Sequence, residues 1–269
     1  MTHPLLGAAG VAALAAAVMA CNGATASSIG PTAPTTTVAT TTTTPTTPAP
    51  TAPTMPTAPS GSAVQAMYAQ FVSTVTVTIS GATVTLRTND LPDHKSPYWG
   101  PSSASYEAPH QGMQVNPHRI APQNLTFTLS SSPAAASSTS DTPLGPIGVS
   151  VNGVVFFNQY AAGRQSLTSE VVSFDRYNGH PSPNDQYHYH FEPVSITASS
   201  KSRLIGVMLD GFPVYGPQER DGSAPSGLDS CNGHTGVTTE FESGIYHYHA
   251  TTAVPYLSGC FRGTAGTVR

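Results

Sequence analysis

Charge is scarce in this 269-residue chain: Asp, Glu, Lys and Arg together make up 9% of it, and the formal net charge is −4. So few cations cannot form a basic surface, which argues against nucleic acid as a partner. No apolar run reaches comfortable membrane-span length, since the longest, Leu5 to Ala20, stops short of about 20 residues. There is no Gly-x-Ser-x-Gly elbow, so a serine hydrolase of that type has no support. The three cysteines divide unequally. Cys21 stands alone, while Cys231 and Cys260 lie near the C-terminal end, a pattern suggesting one modified residue and one disulfide.

In place of charge the chain has 24 Gly, 25 Pro and many Thr and Ser, with 38% hydrophobic residues. That composition points to short strands and turns, hence an all-β or β-dominated fold in a single domain. Residues 1–20 resemble a signal peptide of lipoprotein type, with Val18-Met19-Ala20 preceding Cys21 as the candidate lipidation site. Residues 21–62 are almost wholly Thr, Pro, Ala, Ser and Gly and read as a disordered tether. The expected setting is extracytoplasmic, in a bacterial protein either anchored to a membrane through an N-terminal lipid or secreted. The folded domain is expected over 63–269. Val75, Val77, Ile79, Val84 and Leu86 alternate about Ser80-Gly81 as a hairpin, and Leu125, Phe127 and Leu129 as another strand. Residues 88–122 read as a long loop and 130–142 as a low-complexity one.

The uncharged polar residues with most to offer are 10 His and 11 Tyr, and they are patterned. Tyr187-His188-Tyr189-His190 recurs, letter for letter, as Tyr246-His247-Tyr248-His249. At these compositions chance would place the tetrapeptide at about 2 in a million start positions, so two copies signal duplication. The segment 148–158 aligns with 206–216, each an apolar run broken by Asn152-Gly153 or Asp210-Gly211. Such dipeptides favour a hairpin with a type I′ turn. Asn178-Gly179-His180 matches Asn232-Gly233-His234. Two related halves follow, at about 148–190 and 206–249.

Along an extended strand residues i and i+2 share a face, so His188 pairs with His190 and His247 with His249, while the tyrosines point the other way into the core. His180 and His234, each in a turn where the preceding Gly lets the backbone bend, supply a third imidazole per half. Three nitrogen ligands suit Zn or Cu better than Ca or Mg. Each half can build its own site, or the two motif strands can lie side by side about a pseudo-twofold axis and pool their imidazoles. Asp175 and Asp229 precede the turn histidines by five residues and are candidates to orient an imidazole N–H or to act as general base. Asp93-His94 is placed to cover the pocket. Cys231 and Cys260 are expected to pair in an oxidising compartment, tying the second turn to the segment after His249.

At these residues the chain resembles the bacterial YHYH-domain family of exported proteins. The resemblance runs from about residue 64 to 269, through Pro92-Asp93-His94, 148–158, Asn178-Gly179-His180, 210–217, Cys231-Asn232-Gly233-His234, Pro255-Tyr256 and Gly259-Cys260. It implies domain limits and export, and no activity. The side-chain chemistry suggests a His-rich metal-binding pocket. If it is catalytic, the expected reaction is hydrolysis by a metal-activated water assisted by Asp175 or Asp229. The alternative is a non-catalytic surface module recognising a glycan or a protein, in which exposed Tyr and Trp99 stack on sugar rings.

Overall fold

The computed structural model describes residues 61–269; the expected signal peptide, Cys21 and nearly all of the expected tether lie outside the described residues. Helix α1 (Gly61–Tyr68) takes in the last two residues of that tether and buries Val64, Met67 and Tyr68, whose i, i+3, i+4 spacing forms one apolar face. Strands β1 (Thr76–Ser80) and β2 (Thr83–Thr88) form the expected hairpin about Gly81. Only β2 buries its apolar residues, Val84 and Leu86, because β1 is an edge strand whose Ile79 stays exposed. β3 (Leu125–Ser130) pairs with β2, and β4 (Ala135–Asp141) follows. The stretch containing β4 reads as a loop in sequence. Its Ala/Ser-rich backbone becomes a strand through pairing with the C-terminal β15 (Cys260–Gly263), a tertiary contact that overrides weak local propensity.

The duplicated region supplies β5 (Gly148–Ser150), β6 (Val155–Phe156), the small hairpin β7 (Tyr160–Ala161) and β8 (Gln165–Ser166), then β9 (Gly179–Pro181) and β10 (Tyr187–Tyr189). After the single helical turn α2 (Val194–Thr197) come β11 (Leu204–Met208), β12 (Pro213–Tyr215), β13 (Gly233–Gly236) and β14 (Ile245–His249). β16 (Thr267–Val268) closes the chain against β3 in a four-stranded sheet ordered β1-β2-β3-β16.

The other main sheet has eight strands in the order β13-β14-β12-β11-β5-β6-β10-β9. Each half contributes four with the same connectivity. An antiparallel hairpin comes first, then the motif strand parallel to its second arm, then the Asn-Gly-His strand antiparallel to the motif. The halves meet where β5 pairs with β11, and there Val149 lies opposite Val207, its own counterpart in the duplication. A local twofold axis through this pair relates the halves. The two motif strands therefore sit five strand spacings apart, roughly 24 Å at about 4.8 Å each. Two separate clusters of imidazoles result, one per half, rather than a pooled one.

The hairpins within each half differ from the type I′ turn expected of Asn-Gly and Asp-Gly. Asn152 and Asp210 keep negative φ, while Gly153 and Gly211 sit at +91° and +85°. Hydrogen bonds from Gly153 N to Ser150 O and Ser150 N to Val154 O define a three-residue loop ending in a left-handed glycine, and Met208 to Phe212 repeats it. Residues of both sheets and α1 share one hydrophobic core.

Candidate metal centres

Each tetrapeptide divides as alternation requires. Tyr187, Tyr189 and Tyr248 are fully buried and Tyr246 is 7% exposed. Their hydroxyls are matched by pairs of equivalent residues. The first tyrosine of each motif donates to the turn aspartate, Tyr187 to Asp175 at 2.7 Å and Tyr246 to Asp229 at 3.0 Å. The second meets the hairpin residue: Asn152 donates to Tyr189 at 3.2 Å, and Tyr248 donates to Asp210 at 2.6 Å. With these rings in the core, the motif tyrosines offer no stacking surface to a sugar. Trp99 is half-buried, its indole N–H donating to His94 O.

Asp175 and Asp229 thus belong to the tyrosine side. Each also accepts backbone N–H groups of its own turn, from Tyr177 and Gly179 for Asp175 and from Cys231 and Gly233 for Asp229. The imidazole N–H groups expected to reach them find other acceptors. His94 likewise packs on the tyrosine side, its ring 4.1 Å from that of Tyr177 and its Nε2 bonded to the Tyr189 hydroxyl at 2.9 Å, so it does not cover the histidines.

The Asn-Gly-His turns also divide their labour differently from the expected Gly bend. The left-handed residue is the asparagine, with φ of 67° at Asn178 and 71° at Asn232. The amides hold that conformation by donating across to Glu192 O and His249 O. Gly179 and Gly233 serve a packing need, because a Cβ at either would collide with the ring of Tyr187 or Tyr246. Removing the side chain lets strand and tyrosine approach, and this sets the following histidine over the motif pair: His188 lies opposite His180, and His247 opposite His234.

His180, His188 and His190 come together in the first half, and His234, His247 and His249 in the second, with potential ligand atoms within 4.8 Å of one another in each cluster. Every Nδ1 is committed as a donor. His188 and His247 donate to the carbonyls of Gln186 and Ile245, and His190 and His249 to the equivalent carbonyls of Asn158 and Gly216. His234 donates to Ser226 O. Ser173 spends its proton on Glu170 O and so accepts from His180. This pattern leaves all six Nε2 atoms as lone-pair donors in the neutral imidazoles. They converge: Nε2 of His188 and His190 stand 3.1 Å apart, as do those of His234 and His247. Burial favours the neutral ring at five of them, pushing His180 and His247 down to about 3 and His190 to about 4, and His188 and His249 downward as well.

A glutamate completes each cluster. Glu219 lies 3.1 Å from His234, 3.5 Å from His249 and 3.9 Å from His247. Glu170 stands farther off, 3.7 Å from His180 and 3.9 Å from His190, and burial raises its pKa. Neither is among the residues expected from the motifs. The available signal is that each half carries one glutamate between its hairpin and its Asn-Gly-His turn. Among the described residues the buried His180 and His249 Nε2 atoms and Glu219 Oε1 have no hydrogen-bond partner, and orphaned buried acceptors facing one another are the environment a cation relieves. Both clusters fit a metal ion by donor type and convergence.

Cys231 and Cys260 form a disulfide with Cα atoms 4.8 Å apart, tying the second Asn-Gly-His turn to β15. In the first half the residue equivalent to Cys231 is Tyr177, and its stacking on His94 takes the place of the bridge.

Fold and clusters define a β-sheet protein with two pseudo-symmetric histidine centres on a duplicated scaffold. The chain belongs to the YHYH family: the family model described as YHYH protein matches residues 126–227 and again 219–263, together just over half of its length. No curated protein and no solved structure matches it.

Proposed function

We propose that this is a metal-binding protein with one centre in each half, His180, His188, His190 and Glu170 forming the first and His234, His247, His249 and Glu219 the second. The observation that carries the reading is the pair of Nε2 atoms of His188 and His190, 3.1 Å apart with both Nδ1 protons already donated. Two neutral imidazoles so arranged set lone pair against lone pair, and a divalent cation is what makes the geometry favourable. Nitrogen-rich donors with one carboxylate favour Zn or Cu.

Such an ion supplies Lewis acidity, and hydrolysis is the reaction class best suited to it. Asp175 and Asp229 are taken up by tyrosines, so the carboxylates near enough to move a proton are Glu170 and Glu219. The apolar segment ending at Cys21 and the Thr/Pro-rich segment after it support an exported protein held to a membrane by lipid on Cys21. Among the described residues no helix is long and apolar enough to cross a membrane.

The test is metal analysis of protein purified without a polyhistidine tag, with thermal shifts on adding Zn or Cu. Two ions per chain and a raised Tm are expected. No Zn or Cu above trace, together with no thermal shift from either, overturns the proposal.

A further inference from the structure

The two centres share three imidazoles and differ in how closely a glutamate joins them and in what surrounds them. Beside the second, His247, His249 and Glu219 line a gap of about 10 Å³. That is no more than a water-sized probe occupies. Glu219 approaches all three imidazoles and makes a fourth ligand. The first centre forms the floor of a cleft of about 640 Å³, a size that accommodates a small molecule. There Glu170 leans towards two of the three imidazoles from a greater distance.

The difference arises in the connecting segments. After β12 the chain passes directly over its centre at Gln218, Glu219 and Arg220, with Val237–Thr239 packed beside it. After β6 the chain makes the β7-β8 hairpin and two 3₁₀ turns before β9, and this longer excursion forms a wall that stands away from His188 and His190. The long loop before β3 adds Val115 and Asn116 to the lining; it is joined to this excursion by Gln114 N–H donating to Val172 O at 2.8 Å, and Asn116 donates to Pro181 O at 3.0 Å.

We propose that the second centre is a closed structural site, whereas the first keeps a coordination position for an uncharged small molecule with an apolar body and a single nitrogen or oxygen donor. This rests on the metal-binding reading above. The cleft's chemistry gives the ligand class. Val115, Leu144 and Val172 stand at its mouth, 41%, 47% and 41% exposed, so apolar surface is available for a partner to cover. Phe157 stacks on His188 with ring centroids 3.9 Å apart and carries the apolar lining down to the imidazoles. Among the described residues no Lys or Arg lines the cleft to receive an anion. Three imidazoles with a stand-off carboxylate match a site that keeps an open position, and four close ligands match a structural one.

The test uses the full chain loaded with Co(II), whose visible spectrum reports on each centre, titrated with imidazole and with 1-benzylimidazole. One of the two bound ions should respond, with 1-benzylimidazole saturating at a concentration about tenfold lower than imidazole because its ring is covered by the cleft. Val172→Trp, at an exposed position, should leave both ions bound and raise the 1-benzylimidazole concentration needed by about tenfold or more. A chelator should strip the responding ion first. A response at both centres or at neither, equal affinity for the two probes, or an unchanged titration in Val172→Trp overturns the division of roles and leaves the metal reading standing. Failure to bind Co(II), Zn or Cu at all overturns the metal reading itself.

Discussion

Val149 lies opposite Val207 at the middle of the eight-stranded sheet, each pairing with its own counterpart from the other half. The seam is tight because the residues beside them in the ladder include glycines. A Cβ at Gly206 would press on Val149 O and the Phe156 ring, and one at Gly148 on Val207 O and Met208. Both positions are buried, so backbone and core must shift to admit a methyl group.

Gly206→Ala should therefore destabilise the protein by about 1–3 kcal/mol, and Gly148→Ala by a similar amount. The double variant should depart from additivity, since both substitutions strain the same β5-β11 pairing. Urea unfolding of the four proteins in the cycle measures this. Additive losses within about 0.3 kcal/mol would show that the halves are not coupled through the seam.

The tyrosine side gives a second contrast. Tyr248 donates to Asp210, which also accepts from Gly263 N at 2.9 Å; Tyr189 has the neutral Asn152 in the equivalent place and His94 as a further partner. Tyr248→Phe leaves a buried carboxylate oxygen short of a donor, at a cost of roughly 1.5–3 kcal/mol for a bond to a charged group. Tyr189→Phe should cost less, about 0.5–1.5 kcal/mol, because Asn152 carries no charge. Chemical denaturation at pH 7 compares the two, and equal losses would argue against a charge-assisted bond at Asp210.

Much of this site is legible in the residues. Alternation within Tyr-His-Tyr-His assigns the imidazoles to one face and the rings to the other, and the repeated Asn-Gly-His identifies the third member of each cluster. The disulfide follows from two nearby cysteines. Whether the clusters merge depends on strand order, which rests on the Val149–Val207 seam and has no local signature. Asp175 precedes His180 by five residues, and that spacing does not say that its carboxylate turns to Tyr187. Glu170 and Glu219 escape notice because they lie on connections of unequal length, outside the frame of the duplication. The depth of the first cleft depends on those same connections and on Val115 and Asn116, some thirty residues before the first half begins.

The carboxylates should separate the two centres. Glu219 is close to three imidazoles and Glu170 to two at longer range. Glu219→Gln should weaken the more tightly held ion by about tenfold or more, the scale seen when a group supporting a metal site is lost. Glu170→Gln should change metal affinity less. Competition titration against a chromophoric chelator resolves the two ions, and a larger loss from Glu170→Gln would reverse the ranking of the carboxylates.

Acid should unfold the metal-free protein through its histidines. In the folded state burial holds His180 and His247 at about 3 and His190 at about 4, and lowers His188 and His249, against an ordinary value near 6.5. Between those values the unfolded chain binds protons that the folded chain refuses, so stability rises with pH and falls as pH drops from about 6.5 towards 3–4. Each such histidine contributes a slope of up to about 1.4 kcal/mol per pH unit in that window. Asp90, Asp210 and Glu170 act in the opposite sense, because burial raises all three and favours their protonation in the folded state. Five imidazoles outweigh three carboxyls. The urea midpoint of the metal-free protein should therefore decline markedly from pH 7 to pH 5. Metal-loaded protein should hold its midpoint further into acid, until protons displace the ion from the histidines. Equal midpoints at pH 7 and pH 5 in the metal-free protein would mean that the imidazoles titrate in the folded state, and the lone-pair contact between His188 and His190 could not then be the one that a cation relieves.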